Sequence, residues 1–157
     1  MTIAEEPWSE DEPPTWPQAA HPKRVLVAED DAAMRDLLLL VLRERGYAVD
    51  CVSSGSQMIQ LLSERHPDGS LAERFDLIVT DVRMPGASGL DAIDQLRRAG
   101  GLTPVIAVTA FPHDATRNRA RRLEIQLLAK PFDLDALRNA VEAALDSAPA
   151  RREEQQP

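Results

Sequence analysis

A single cysteine, Cys51, is the only thiol in this chain of 157 residues. No disulfide framework can form within one molecule, and a thiol in an apolar, strand-like stretch is expected to be buried and inert. Although 43% of the residues are hydrophobic, no apolar run is long enough to span a bilayer. The start of the chain lacks a signal-peptide pattern. The expectation is a cytoplasmic protein with no membrane partner. Basic residues are missing from the first 22 positions, where Glu5, Glu6, Glu10, Asp11 and Glu12 give a net −5. Residues 23–146 hold 16 basic and 19 acidic groups, a net −3, and residues 147–157 balance. The folded part is close to neutral. It has no broad basic field for a phosphate backbone, so nucleic acid is not expected as a partner.

The organising stretch is Phe75-Asp76-Leu77-Ile78-Val79-Thr80-Asp81. A near-continuous apolar run of this kind reads as a strand buried on both faces. Asp81 then stands at the carboxyl end of a central parallel strand, where open α/β sheets place ligand crevices. Alone, it would be an ordinary turn aspartate. Other strand ends weigh against so plain a role. Val25-Leu26-Val27-Ala28 runs into Glu29-Asp30-Asp31, Pro104-Val105-Ile106-Ala107-Val108 runs into Thr109, and Gln126-Leu127-Leu128-Ala129 ends at Lys130-Pro131-Phe132. A parallel sheet would gather an acidic pair, a lone aspartate, a hydroxyl and an ammonium along one edge.

The length suits one domain with a full core. Residues 1–22 are acidic and rich in proline, and are expected to be a disordered arm. Trp8 and Trp16 stand out in it, either as a docking motif or lying on the arm's own domain. The folded domain is expected over 23–146, with a short disordered tail at 147–157. The first strand covers about residues 24–29. A helix capped by Asp31 follows, with Met34, Leu37, Leu38 and Val41 on one face, and Gly46 ends it. Ala48–Val52 reads as a second strand and Ser54 as the cap of a second helix. The loop 65–70 has a strong turn signal and exposes His66. Ser88 caps a third helix with Leu90, Ile93 and Leu96 inward, and His113-Asp114 starts a fourth that carries Arg117, Arg119, Arg121 and Arg122. The last helix is capped by Asp133 and buries Leu134, Leu137, Val141 and Leu145.

Five strands alternate with five helical segments, so the fold class is α/β with a doubly wound parallel sheet. In order and spacing, Glu29-Asp30, Asp81 with Met84-Pro85, Gly89, Thr109-Ala110 and Lys130-Pro131-Phe132 resemble the receiver domain of two-component response regulators, over residues 23–146. That resemblance implies the flavodoxin-like strand order 2-1-3-4-5, which alternation alone leaves open. It also implies a phosphoacceptor signalling domain rather than an enzyme, one that phosphorylates and dephosphorylates only itself.

Acidic groups at neighbouring strand ends repel each other unless a cation lies between them. Oxygen-only ligands in an incomplete cage suit magnesium. The resemblance implies Asp81 and Asp30 as direct ligands, Glu29 as an acidic group acting largely through water, and the backbone carbonyl of Arg83 as a further ligand. A carboxylate can serve as nucleophile and form an aspartyl phosphate, here at Asp81. Lys130 and Thr109 are expected to meet the phosphoryl oxygens, and the Lys130-Pro131 bond is expected to be cis. The implied donor is a histidine kinase or histidine phosphotransfer protein. Output is expected through a downstream protein partner, from a stand-alone receiver that is a monomer or weak dimer.

The chain departs from the family pattern in two places. Leu127 stands where the family carries Tyr or Phe, and Leu123-Glu124 replaces Gly-Ala. A receiver-like binding module that works without phosphorylation is the alternative this leaves open. Phe111 borders the crevice as a gate for water or partners, or as plain packing. A hydrolase of the haloacid-dehalogenase type would need a second aspartate two residues after the nucleophile. Arg83 occupies that position.

Overall fold

The computed structural model describes residues 21–147. Five strands, β1 (Arg24–Ala28), β2 (Ala48–Val52), β3 (Leu77–Asp81), β4 (Val105–Thr109) and β5 (Ile125–Ala129), alternate with five helices. These are α1 (Ala32–Glu44), α2 (Gly55–Leu62), α3 (Gly89–Arg98), α4 (Asp114–Arg122) and α5 (Leu134–Ser147). The strands form one parallel sheet in the order β2-β1-β3-β4-β5. The expected order holds.

Period-two alternation sends the strand side chains into two cores. Leu26, Ala28, Ile78, Val105 and Ala107 pack with Met58, Leu90, Ile93 and Leu96 of α2 and α3. Val25, Val27, Leu77, Val79 and Ile106 face the other way, against Leu38, Val41, Leu42, Leu137 and Val141 of α1 and α5. Every residue of β3 and β4 is buried, because helices cover both faces of the central strands. Each fully buried Leu or Ile contributes about 1.5–3 kcal/mol.

Local signals end the elements where the sequence indicates. Asp31 caps α1, its carboxylate accepting from the Ala33 and Met34 amides. Ser54 caps α2, and Ser88 with Asp91 forms a full capping box at α3. Gly46 closes α1 at φ +85°, a conformation that glycine adopts without a Cβ clash.

Some expectations fail. Cys51 is exposed, not buried; it lies on the edge strand β2, where the cover given by α1 reaches Val49 and not Cys51. Leu37 is 37% exposed, because the inward stripe of α1 runs through Leu38, Val41 and Leu42. Four consecutive leucines, Leu37 to Leu40, hide the phase of that helix. Leu134 and Leu145 are only partly buried at the rim of their core. His66 is half-buried rather than exposed, beside the bridge between Arg65 and Leu71. β1 stops at Ala28, one residue early, and β5 begins one residue early at Ile125. The expectations for the arm before residue 21 and the tail after residue 147 lie outside the described residues.

Candidate functional site

Strand register assembles the site. Ala28 pairs with Thr80, so Glu29 stands beside Asp81. Thr109 pairs with Ala129, and the Lys130 amide donates to the Thr109 carbonyl at 2.8 Å. Four chemically active strand ends thus meet at one carboxyl edge.

Glu29, Asp30 and Asp81 each place a carboxylate oxygen within 4.8 Å of the others. Glu29 is fully buried and Asp81 is 9% exposed, whereas Asp30 reaches solvent. Lys130 Nζ lies 3.3 Å from both Glu29 Oε2 and Asp81 Oδ2. The Asp31 amide donates to Glu29 Oε1 at 3.2 Å, and the Arg83 amide donates to Asp81 Oδ1 at 3.2 Å. Burial, followed by the Asp81 charge, pushes the Glu29 carboxyl up to about 7, against the opposing pull of the Asp31 amide and Lys130. Burial pulls the Lys130 ammonium down, but Asp81 and Glu29 more than reverse this and hold it above the ordinary lysine value.

One ammonium therefore faces three carboxylates. Two like charges about 4 Å apart repel by about 4 kcal/mol at an effective dielectric near 20, so the cluster is short of positive charge. Its donors are all oxygen, and Glu29 is shielded from bulk solvent. That set fits a hard divalent cation of the magnesium type.

Gly89 brings α3 close to this edge. A Cβ there would overlap the Asp81 carbonyl oxygen and the Thr80 hydroxyl. The Thr80 hydroxyl donates to the same Asp81 carbonyl at 2.9 Å, and the Gly89 amide donates to the Val82 carbonyl at 3.1 Å. The loop after Asp81 is thereby held from both sides.

The remaining expected residues lie around the same edge. Thr109 is buried at 3% exposure, and its Oγ1 accepts from the Phe111 amide at 3.2 Å. The Arg83 side chain is exposed and lies over the Phe111 ring, 5.5 Å from its centroid. Phe111 also stacks on His113 at 6.3 Å, so an aromatic and a guanidinium border the mouth of the crevice. The Lys130-Pro131 bond is cis, as expected. Two contacts have no counterpart in the sequence reading: Arg35 Nη1 donates to the Glu29 carbonyl at 3.1 Å, and Arg119 pairs with Asp91 across α3 and α4 at 2.7 Å. The first folds α1 back over the end of β1 and the second joins two helices, and the chain order carries no signal for either.

Known proteins resemble this chain in sequence and fold. The transcriptional regulatory protein PdtaR of Mycobacterium tuberculosis is 35% identical over 85% of this chain and 62% of its own length. The alkaline phosphatase synthesis transcriptional regulatory protein SphR of Synechococcus elongatus is 38% identical over 74% of this chain and 46% of its own. The chain thus spans only about half to three-fifths of the length of these curated relatives. Among solved structures, the non-phosphorylated HemR receiver domain of Leptospira biflexa aligns with a TM-score of 0.70 at 25% identity, covering 81% of this chain and 97% of that one. The receiver domain of the sensor histidine kinase PA1611 of Pseudomonas aeruginosa, solved with magnesium in its active-site cleft, aligns at 0.68 and 26% identity, covering 80% of this chain and 99% of that one. Residues 25–142 match the family described as the response regulator receiver domain. The chain belongs to the response regulator receiver family of two-component systems.

Proposed function

We propose that Asp81 accepts a phosphoryl group from the phosphohistidine of a histidine kinase or histidine phosphotransfer protein, in a magnesium-dependent reaction. The observation that carries this reading is the Asp81 carboxylate at the end of β3, 3.3 Å from Lys130 and within 4.8 Å of Glu29 and Asp30. In the transfer an Asp81 oxygen forms a bond to phosphorus, the P–N bond breaks, and the imidazole leaves with the bonding pair. Positioning and charge neutralisation carry most of such a reaction, since its transition state is loose.

In this reading Asp30, Asp81 and the Arg83 carbonyl would hold the metal, and Glu29 would act on it through water. When bound, the metal neutralises charge on the phosphoryl oxygens. Lys130 exchanges its contact with Asp81 for a phosphoryl oxygen, a short move for a flexible stem with three donors. Thr109 turns its hydroxyl from the Phe111 amide toward the phosphoryl group, and Phe111 with Arg83 screens the product from water. Leu127 leaves no aromatic side chain to follow Thr109, so the change is passed on by backbone and helix packing. The functional unit is residues 23–146, and its output is binding of a downstream protein.

The test is intact mass after treatment with acetyl phosphate and magnesium. One added phosphoryl group is expected on the wild type and none on Asp81→Asn. Undiminished incorporation in Asp81→Asn would sink the assignment.

A further inference from the structure

The cleft between α4 and β5 complements the chain's own acidic arm, and we propose that the segment from Glu5 to Glu12 docks there in the same molecule, with Trp8 as its anchor. α4 buries one side chain fully, Ala120. It is tied to α3 by the Arg119–Asp91 pair rather than by an apolar stripe. Helix cover over β5 is correspondingly thin, and Leu127 is only half-buried. What remains is a cleft of about 350 Å³, floored by Ala120, Ile125 and Leu127 and rimmed by Arg117 and Arg121.

An apolar floor edged by two guanidinium groups suits an aromatic ring flanked by carboxylates. The ring supplies apolar area and a cation–π partner, and the carboxylates pair with the arginines. Trp8 has that setting, between Glu5-Glu6 and Glu10-Asp11-Glu12. Trp16 lies among Pro and Thr and lacks it. α4 carries four arginines against the single acid Asp114, a net +3, whereas residues 1–22 carry −5.

The chain reaches. Arg24 follows Trp8 by sixteen chain positions, enough for ~53 Å of extended backbone. β1 and β5 lie three strand spacings apart, about 14 Å. Tethering also holds the arm at an effective concentration on the order of millimolar, so a weak contact is populated. No carboxylate of the acidic site takes part, and the docking test gives the same result whether or not Asp81 accepts a phosphoryl group.

Both tryptophans of the chain lie in the arm, so in the full-length Trp16→Phe variant all tryptophan emission comes from Trp8. Docking predicts blue-shifted emission protected from acrylamide and unchanged on tenfold dilution. The emission should move to solvent-like values in Arg117→Glu/Arg121→Glu, and as salt rises to about 1 M, where charges are screened beyond roughly 3 Å. Trp8→Ala alters no residue of the folded domain and should shift the amide resonances of Ala120, Ile125 and Leu127. Solvent-like emission at every salt concentration, or unmoved resonances in Trp8→Ala, overturns the proposal. A blue shift lost on dilution overturns it in favour of arm exchange between copies, and one that survives charge reversal overturns it because the arginine rim is then not what holds the arm.

Discussion

Lys130 Nζ stands at the same distance, 3.3 Å, from Asp81 Oδ2 and from Glu29 Oε2. A single cation is thus shared by two carboxylates on neighbouring strands, with Asp30 as a third acid beside them. The sharing is incomplete, since Glu29 still stands near 7. Such a site is preorganised for incoming positive charge, and its carboxylates repel one another until that charge arrives.

Removing one acid should therefore relieve the metal-free protein. In Asp30→Asn we expect stability without metal to rise by up to about 1 kcal/mol, a modest gain because Asp30 is exposed and screened. Magnesium should then add little stability, and magnesium-dependent phosphorylation should collapse. Thermal melts with and without magnesium are the measurement. An undiminished magnesium-induced rise in melting temperature would remove Asp30 from the ligand set.

Glu29 sets a pH dependence of definite sign. Its carboxyl stands at about 7 in the fold against an ordinary value of 4.5. Between those values the folded state keeps a proton that the unfolded state has lost, so stability falls as pH rises through this window and levels off above it. The loss is at most a few kcal/mol, on the order of 1 kcal/mol for each unit by which the carboxyl is raised. Urea unfolding in a chelating buffer at pH 5 and pH 8 should show the loss in the wild type. Glu29→Gln, which has no such proton to exchange, should lack it. The difference between the two proteins is the quantity to compare. Parallel pH profiles would contradict the burial argument.

Gly89 and Gly100 separate two kinds of glycine. A Cβ at Gly89 meets the Asp81 carbonyl and the Thr80 hydroxyl, whereas at Gly100, with φ +89°, it meets nothing within 4 Å. Gly100→Ala should cost about 1–2 kcal/mol for left-handed backbone and leave phosphorylation intact. Gly89→Ala should cost about 1–3 kcal/mol by overpacking and also slow phosphorylation, because α3 and the Asp81 backbone must part. Denaturant midpoints alongside acetyl phosphate kinetics check both. Normal kinetics in Gly89→Ala would show that the loop absorbs the methyl group elsewhere.

Much of this site is legible in the chain because strand ends in a parallel sheet are punctuated in sequence. Glu29, Asp81, Thr109 and Lys130 each follow an apolar run, and parallel register does the rest. Helix starts are equally plain, since Asp31, Ser54 and Ser88 bond to backbone amides two or three residues away. Side-chain facing is harder to read. Cys51 reads as buried because its neighbours are apolar, but exposure on an edge strand depends on how far a helix from elsewhere reaches. Leu37 reads as inward because a leucine run has no phase. The Arg35 contact to the Glu29 carbonyl and the Arg119–Asp91 pair depend on tertiary placement alone.

Asp91 combines two functions that a pair of substitutions can separate. Its Oδ1 accepts from Arg119 of α4 at 2.7 Å, and its Oδ2 accepts from the Ser88 amide at 3.2 Å, closing the capping box of α3. The Arg119 hydrogen bond leads the causes that hold its carboxyl below the ordinary range. The stability it contributes is therefore present above that range and fades as pH falls through the lowered value. The ion pair is partly exposed, at 35% and 48% of the two side chains, so Arg119→Ala should cost no more than about 1 kcal/mol and less in high salt. Asp91→Ala loses the pair together with its own half of the capping box, while the Ser88 hydroxyl still accepts from the residue-91 amide, and should cost about 1–2 kcal/mol. The excess over Arg119→Ala should survive salt, because a capping bond to a backbone amide is local. Urea unfolding of both variants at low and high ionic strength tests the division. Equal losses in the two variants would mean that the Asp91 half of the capping box contributes nothing, and that α3 is capped at this end by Ser88 alone.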